Sequence, residues 1–182
     1  MIISMRHSGF SIIELIIVVT IMSIFLVLGT ANLKGSMSKA DDAERKADTE
    51  SIAMSLETFY TSGTNGSTSF GFYPSTEKVG ILSDASGCTI DTTLFVLRDI
   101  NPKSLEVPGN NNETACDLWR ATNNSQTTTS VLPQPTESKY VYQPLDDNNE
   151  LCNSTNLRCR KYNLYYYLTS TNTTYKIKSK NQ

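Results

Sequence analysis

The sequence predicts an α+β protein in which one long N-terminal helix packs on a small antiparallel β-sheet, the core of a globular head. Three observations carry this. Residues 10–33 form an almost unbroken apolar run whose one charge is Glu14. Residues 34–60 keep a helical pattern, and the chain has no proline before Pro74. Towards the C-terminus the period changes to two, with Tyr162, Leu164, Tyr166 and Leu168 alternating with Tyr165 and Tyr167. The chain of 182 residues therefore divides into a leader at 1–9, an apolar half-helix at 10–33, a soluble half-helix at 34–60 and a head at 61–182.

The apolar half-helix comes first. At about 1.5 Å per residue it spans roughly 36 Å, enough to cross a hydrocarbon core of about 30 Å. A carboxylate inside such a segment costs about 2.5–3.5 kcal/mol on insertion scales, so Glu14 marks function. A secretory signal would have a shorter apolar region, about 7–15 residues, followed by a small-residue cleavage site. This run is longer and no such site follows it. A plain signal anchor gives no reason to keep Glu14. The leader carries Arg6 and His7, consistent with a cytoplasmic N-terminal side.

The stretch Gly9-Phe10-Ser11-Ile12-Ile13-Glu14-Leu15, with a short basic leader before it and an apolar helix after it, resembles the class III signal of type IV prepilins and pseudopilins. Ser11 and Ile12 stand where that family more often has Thr and Leu. The resemblance covers about the first third of the chain. It implies a pilin-like fold and cleavage by a prepilin peptidase after Gly9, with methylation of the new N-terminus at Phe10. It also implies a homopolymer with other pilin subunits, raised by an inner-membrane assembly platform and its ATPase. Before assembly the chain would be a single-pass protein of the cytoplasmic membrane, surrounded by lipid, with its head outside. After assembly it would lie in an extracellular pilus.

The chemistry of the motif follows from its charges. Cleavage leaves the Phe10 amine protonated beside a membrane-embedded carboxylate, and two desolvated opposite charges attract strongly. In a growing helical filament, Glu14 of an incoming subunit meets the Phe10 amine of a neighbour and sets axial register. The assembly residues are therefore Phe10 and Glu14, and the processing residues Gly9 and Phe10.

Composition narrows the remaining classes. Net charge is −2, and becomes −3 without the leader and its Arg6, so overall charge does not point to nucleic acid. His7 is the sole histidine and lies in the leader, so the mature chain lacks the commonest general base and metal ligand. No catalytic residue, metal or cofactor is expected, and the protein is read as a non-enzyme.

Along the helix, Gly29 and Gly35 are weak points, each costing roughly 1 kcal/mol relative to Ala. The resembling family often has a proline here. Asp41 with Arg45 and Asp42 with Lys46 have the acid-first i,i+4 order of a solvated helix surface. Ile52, Leu56 and Phe59 form a bulky face suited to the sheet. Ala40, Ala43, Ala47 and Met54 form a smaller face roughly opposite, which lets a neighbouring helix approach.

Along the head, residues 61–72 read as a loop, and Asn101-Pro102 as an N-cap with Pro at the first helical position, leading to Leu105. Residues 121–138, rich in Thr, Asn, Ser and Gln, read as an exposed loop. Strands are expected at 140–143, at 162–169 and around Tyr175 and Ile177, the last near an edge. Cys88, Cys116, Cys152 and Cys159 all follow the apolar run, and four cysteines allow three connectivities. The favoured reading pairs Cys152 with Cys159 in a local loop and Cys88 with Cys116 in a larger one. A zinc site lacks Cys-x-x-Cys spacing and histidine.

Asp146, Asp147, Asn148, Asn149 and Glu150 offer oxygens for Ca²⁺ but read better as an acidic turn. Tyr-rich strands with C-terminal lysines offer stacking and charge to DNA, though a half-buried strand with a solvated lysine face explains them as well. The function read from all this is a type IV pilus subunit for surface attachment and twitching motility. The alternatives are a pseudopilin of a secretion system, a competence pilin in DNA uptake, and, from a different class, a membrane-anchored extracellular binding protein.

Overall fold

A computed structural model describes residues 11–63, 71–81, 87–109, 116–154 and 158–181. The leader, and residues 64–70 of the expected 61–72 loop, lie outside them. The elements are α1 (Ile12–Ser62), α2 (Ile90–Val96), a 3₁₀ turn η1 (Pro102–Leu105), β1 (Leu118–Arg120), β2 (Tyr140–Leu145), β3 (Lys161–Leu168) and β4 (Thr173–Lys178). The chain forms two compact units, Met1–Ser38 and Lys39–Gln182, described separately.

In the first unit, α1 is apolar on every side, and its large side chains from Ile12 to Leu28 are 40–80% exposed. Its hydroxyls leave no bare donor: Thr20, Ser23 and Thr30 donate to the carbonyls of Ile17, Val19 and Val27 at 2.7–3.0 Å. The segment is long and apolar enough to cross a membrane by length and composition. A Cβ at Gly29 or Gly35 would meet nothing within 4 Å, so packing within the chain does not require glycine at either place.

In the second unit the sheet order is β1-β2-β3-β4. β2–β3 and β3–β4 are antiparallel, in registers that set Tyr142 opposite Leu164 and Leu164 opposite Ile177. β1 runs parallel to β2, so the sheet is mixed rather than purely antiparallel. A parallel neighbour needs a long crossover, and residues 121–139 provide it. Neither β1 nor α2 was signalled by periodicity: one has three residues, the other seven. Asn101 caps η1 through its side chain, accepting from the Lys103 N–H at 3.1 Å, and Leu105 behind Pro102 is fully buried, as the Asn-Pro pair predicts.

The main core joins α1 to one sheet face. Ile52, Leu56 and Phe59 meet Leu118, Tyr140, Tyr142, Tyr162, Leu164, Tyr166 and Leu168. Burial of each large aliphatic contributes about 1.5–3 kcal/mol. The expected alternation in β3 holds, since Tyr165 projects into a second cluster with Ala121, Val131 and Val141. The 121–138 segment is therefore not simply an exposed loop. It roofs the second sheet face, and polar composition hid this because the anchors are polar. Buried Gln143 donates to the carbonyls of Asn123 and Ser125 and accepts from Asn163 Nδ2 and Tyr165 Oη, all at 2.8–3.0 Å. Those four bonds fill its amide's capacity.

Above this core the helix turns polar but stays buried. Asp42 and Arg45, each 4% exposed, pair at 3.3 Å. The Asp42 carboxylate accepts the backbone N–H groups of Thr169 and Ser170 at 2.8 Å, capping the β3–β4 turn, and Arg45 donates to the Glu137 carbonyl at 2.9 Å. The expected solvated pairs of Asp41 with Arg45 and Asp42 with Lys46 give way to this arrangement, because the turn's amides need a buried acceptor. Burial pushes the Asp42 carboxyl up, but the Ser170 and Thr169 hydrogen bonds and the Arg45 charge leave it below its ordinary value.

One turn on, Asp48 accepts from Tyr140 Oη at 3.2 Å. Burial lifts its carboxyl to about 6, against lowering by Tyr140 and with a further rise from Glu44. The two carboxylates thus make opposite predictions. Asp42→Ala strands a buried guanidinium and is expected to cost about 3–5 kcal/mol in denaturant unfolding of the full chain. Asp42 stabilises the fold at neutral pH and loses that contribution as pH falls through its lowered pKa. Asp48 binds its proton more tightly folded than unfolded, so its ionisation opposes folding above pH 6. Asp48→Asn is expected to stabilise the fold at pH 8 by about 1 kcal/mol, allowing for solvent screening. By pH 4 the gain is largely gone. Thermal melts at the two pH values check this.

Candidate functional site

The candidate assembly site is the N-terminal end of α1. Gly9 and Phe10 lie outside the described residues. Helical bonding begins directly after them, with the Leu15 N–H reaching the Ser11 carbonyl at 3.2 Å. Glu14 therefore sits in the first turn of α1. The unpaired amides of a helix N-terminus favour negative charge there, typically by 0.3–1 kcal/mol. Glu14 is exposed, as are the apolar side chains that follow it. The arrangement presents a carboxylate at the tip of a helix whose apolar surface needs either lipid or other helices.

Further along α1 the two predicted faces separate as the spacing requires. Ile52 and Leu56 are fully buried, whereas Ala40, Ala43, Ala47 and Met54 are exposed, Met54 at 74%. The buried stripe also extends backwards through polar residues: Asp42, Arg45, Thr49, Ile52, Leu56 and Phe59 follow alternating steps of three and four. Those steps were readable in the sequence, but only the apolar half of the stripe announced itself.

Glu57 was not singled out by sequence, yet it organises one end of the head. Its carboxylate accepts from Tyr73 Oη at 2.8 Å, Tyr162 Oη at 3.3 Å, the Lys180 N–H at 2.9 Å and Asn181 Nδ2 at 3.1 Å. Burial, and a Glu57 carboxylate that prefers the protonated phenol, push the Tyr73 hydroxyl up to about 12, against lowering by Asn181. The Tyr73 hydroxyl therefore stays protonated through the neutral range.

Cys88 and Cys116 are bridged, their Cα atoms 5.2 Å apart. Cys152 and Cys159 are buried thiols. Hydrogen bonding to Cys152, together with burial, holds the Cys159 thiol well above its ordinary range. Both segments are tied to the start of the head: the Tyr73 N–H donates to the Cys159 carbonyl at 2.8 Å and the Thr76 N–H to that of Cys152 at 3.1 Å.

The weaker sequence signals resolve into structural roles. Asp146 Oδ1 accepts the N–H groups of Asn148 and Glu150 at 2.8 and 2.9 Å, and Asp147 pairs with Arg160 at 3.6 Å, which makes 146–150 a self-capped turn. Among the described residues no group of three His, Cys, Asp or Glu side chains is placed to hold a metal. Most of the tyrosines considered for DNA stacking are engaged within the head, whereas Tyr175 is 39% exposed, and the side chains of Lys178 and Lys180 are exposed too. Tyr162 and Tyr165 are buried, Tyr166 stacks on Tyr175, and Lys176 donates to the Gln126 carbonyl.

Residues 4–30 match the family model for the prokaryotic N-terminal methylation motif, and they include Gly9, Phe10 and Glu14. The chain thus carries the class III prepilin-type signal of type IV pilins. That signal, on a long apolar helix joined to a small mixed-sheet head, marks a type IV pilin- or pseudopilin-like protein. It points to a structural subunit rather than an enzyme, with membrane anchoring, processing by prepilin peptidase and assembly with other pilin subunits. The chain matches no curated protein and no solved structure at a significant level.

The cysteine geometry gives a prediction for a head placed outside the membrane. In the oxidising environment that such a placement implies, the adjacent buried thiols of Cys152 and Cys159 are expected to close into a disulfide. Alkylation of denatured, unreduced protein recovered from cells should label no cysteine, and alkylation after reduction should label all of them. Labelling of Cys152 and Cys159 before reduction would show that they work as thiols.

Proposed function

We propose that this chain is the structural subunit of a type IV pilus, cleaved after Gly9, methylated at Phe10 and polymerised through α1 for surface attachment and twitching motility. One observation carries the reading: a prepilin-type signal opens a helix that is apolar on all sides and bears Glu14 in its first turn. Lipid satisfies the apolar surface before assembly and neighbouring helices satisfy it afterwards. Lipid cannot satisfy Glu14. A neighbour's Phe10 ammonium can, and because that charge lies at one axial position it fixes the stagger between subunits. The assembly platform and its ATPase supply the work of lifting the apolar helix out of the membrane.

The head supports a structural role more than a ligand-binding one, since most of its tyrosines, its acidic turn and many of its basic side chains are spent on internal contacts. Arg158 and Arg160, for example, both lie over the Phe72 ring. A tethered binding protein would have no use for the Glu14 charge.

The test is N-terminal mass spectrometry on filaments sheared from intact cells, alongside Glu14→Ala and Glu14→Val. A sheared peptide starting at methylated Phe10 is expected. The variants should insert in the membrane normally but yield about tenfold less sheared polymer or lower still, consistent with loss of a desolvated charge pair. Processed chain confined to membranes would favour the secretion pseudopilin. An intact Met1, or cleavage well after Leu33, would end the pilin reading.

A further inference from the structure

Among the described residues of the second unit, the exposed large apolar side chains are Met54, Phe95, Leu132 and Tyr175. On one flank of α1, Glu50, Ala53 and Glu57 of the helix and Ile177 and Lys178 of β4 border a groove of 310 Å³, with Tyr162 also in its lining. The lining is mostly apolar in character at Ala53, Tyr162 and Ile177. Exposed Glu50 stands on the helix side, and exposed Lys178 and Lys180 on the strand side. On the other flank, Thr58 and Ser62 lie beside Val96 and Arg98, at the end of α2. At about 100° per residue, Glu50, Ala53 and Glu57 fall on a different face of α1 from Thr58 and Ser62, about 125° around the helix.

α2 bears the matching feature. Phe95 is 67% exposed although its neighbours Val96 and Leu97 are buried. Asp91, one helical turn earlier, is exposed, and Arg98 follows three residues later. The knob is thus an aromatic ring between an acid and a base. The groove is an apolar slot between a base, Lys178, and an acid, Glu50.

We infer that Phe95 of one copy docks into the Ala53–Tyr162–Ile177 groove of a second copy, with Asp91 facing Lys178 and Arg98 facing Glu50. The inference rests on the filament reading and adds to it the contact between heads. Knob and groove are separate patches of the head, so docking one into the other is a heterologous contact. Each copy that receives a ring still offers its own, and in a filament the contact repeats from subunit to subunit. Charge complementarity selects a second copy over a general apolar partner. An aromatic side chain brings about 150–250 Å² of surface to such a contact, and a single ring in a desolvated slot is the usual form of an interface anchor.

The full-length chain is tested in cells. A photoreactive benzoylphenylalanine in place of Phe95 is irradiated in sheared filaments, and the crosslinked peptides are mapped. Crosslinks to a second chain at residues 50–57, 162 or 177–178 are expected. Crosslinks elsewhere, or none above the unirradiated control, would overturn the docking. In parallel, Asp91→Lys and Lys178→Asp are each expected to cut sheared polymer about tenfold. The combined variant should recover most of it. A combined variant no better than the worse single one would also overturn the proposal. Wild-type cells that yield no sheared polymer would sink the filament reading and the docking together, whereas polymer with crosslinks mapped elsewhere sinks the docking alone.

Discussion

Asp42 and Arg45 lie side by side beneath the β3–β4 turn, and the register of the head on its helix depends on them. The apolar stripe that follows is permissive, since Ile52, Leu56 and Phe59 would accept small shifts against a bed of tyrosines and leucines. The polar half is not. A carboxylate that accepts two successive backbone amides, beside a guanidinium committed to the Glu137 carbonyl, admits one position along the helix. At the other end of the stripe, half-buried Glu57 accepts one backbone amide, that of Lys180, and three side-chain donors. Two carboxylates fix the axial placement and the apolar residues between them supply most of the favourable free energy. This division explains why buried charge is tolerated. Asp42 is costly to bury, and it is matched by two backbone amides and the Arg45 guanidinium.

The same helix answers to a different solvent over its first half. There the pattern has no preferred face, and the hydroxyls of Thr20, Ser23 and Thr30 fold back on their own carbonyls. Such a surface imposes no particular neighbour, which suits a segment that is first in lipid and later among other helices. In the proposed filament, specificity in that half falls to Glu14, and the tasks separate: one charge for assembly at the tip, and a set of matched polar groups for the head.

Much of this was legible in the sequence, because it rests on local rules. The apolar run, the Gly9–Phe10 junction with Glu14, the Asn101-Pro102 cap and the alternation in β3 are each decided by residues close together in the chain. What stayed hidden depends on partners far away. The parallel placement of β1 follows from a crossover, and three residues carry no period. The roof over the second face was read as solvent-exposed because Gln143, Asn163 and the 123–125 carbonyls satisfy one another only after folding. Asp42 and Arg45 were read as surface charges because i,i+4 spacing is the commonest use of such a pair. The turn amides that claim Asp42 lie 127 and 128 residues later.

The anchoring of the C-terminus has a consequence for the order in which the protein is made. Glu57 leaves the ribosome early, but two of its partners, the Lys180 amide and the Asn181 side chain, are 123 and 124 residues behind it. Non-local contacts of this kind must wait for those residues. Until then α1 has its apolar segment but not the residues that complete the half-buried Glu57 cluster. A chain lacking residues 180 and 181 would form its helix but leave Glu57 without two of its donors, so the last contact that fixes the helix against the head is supplied by some of the most distant residues in the chain.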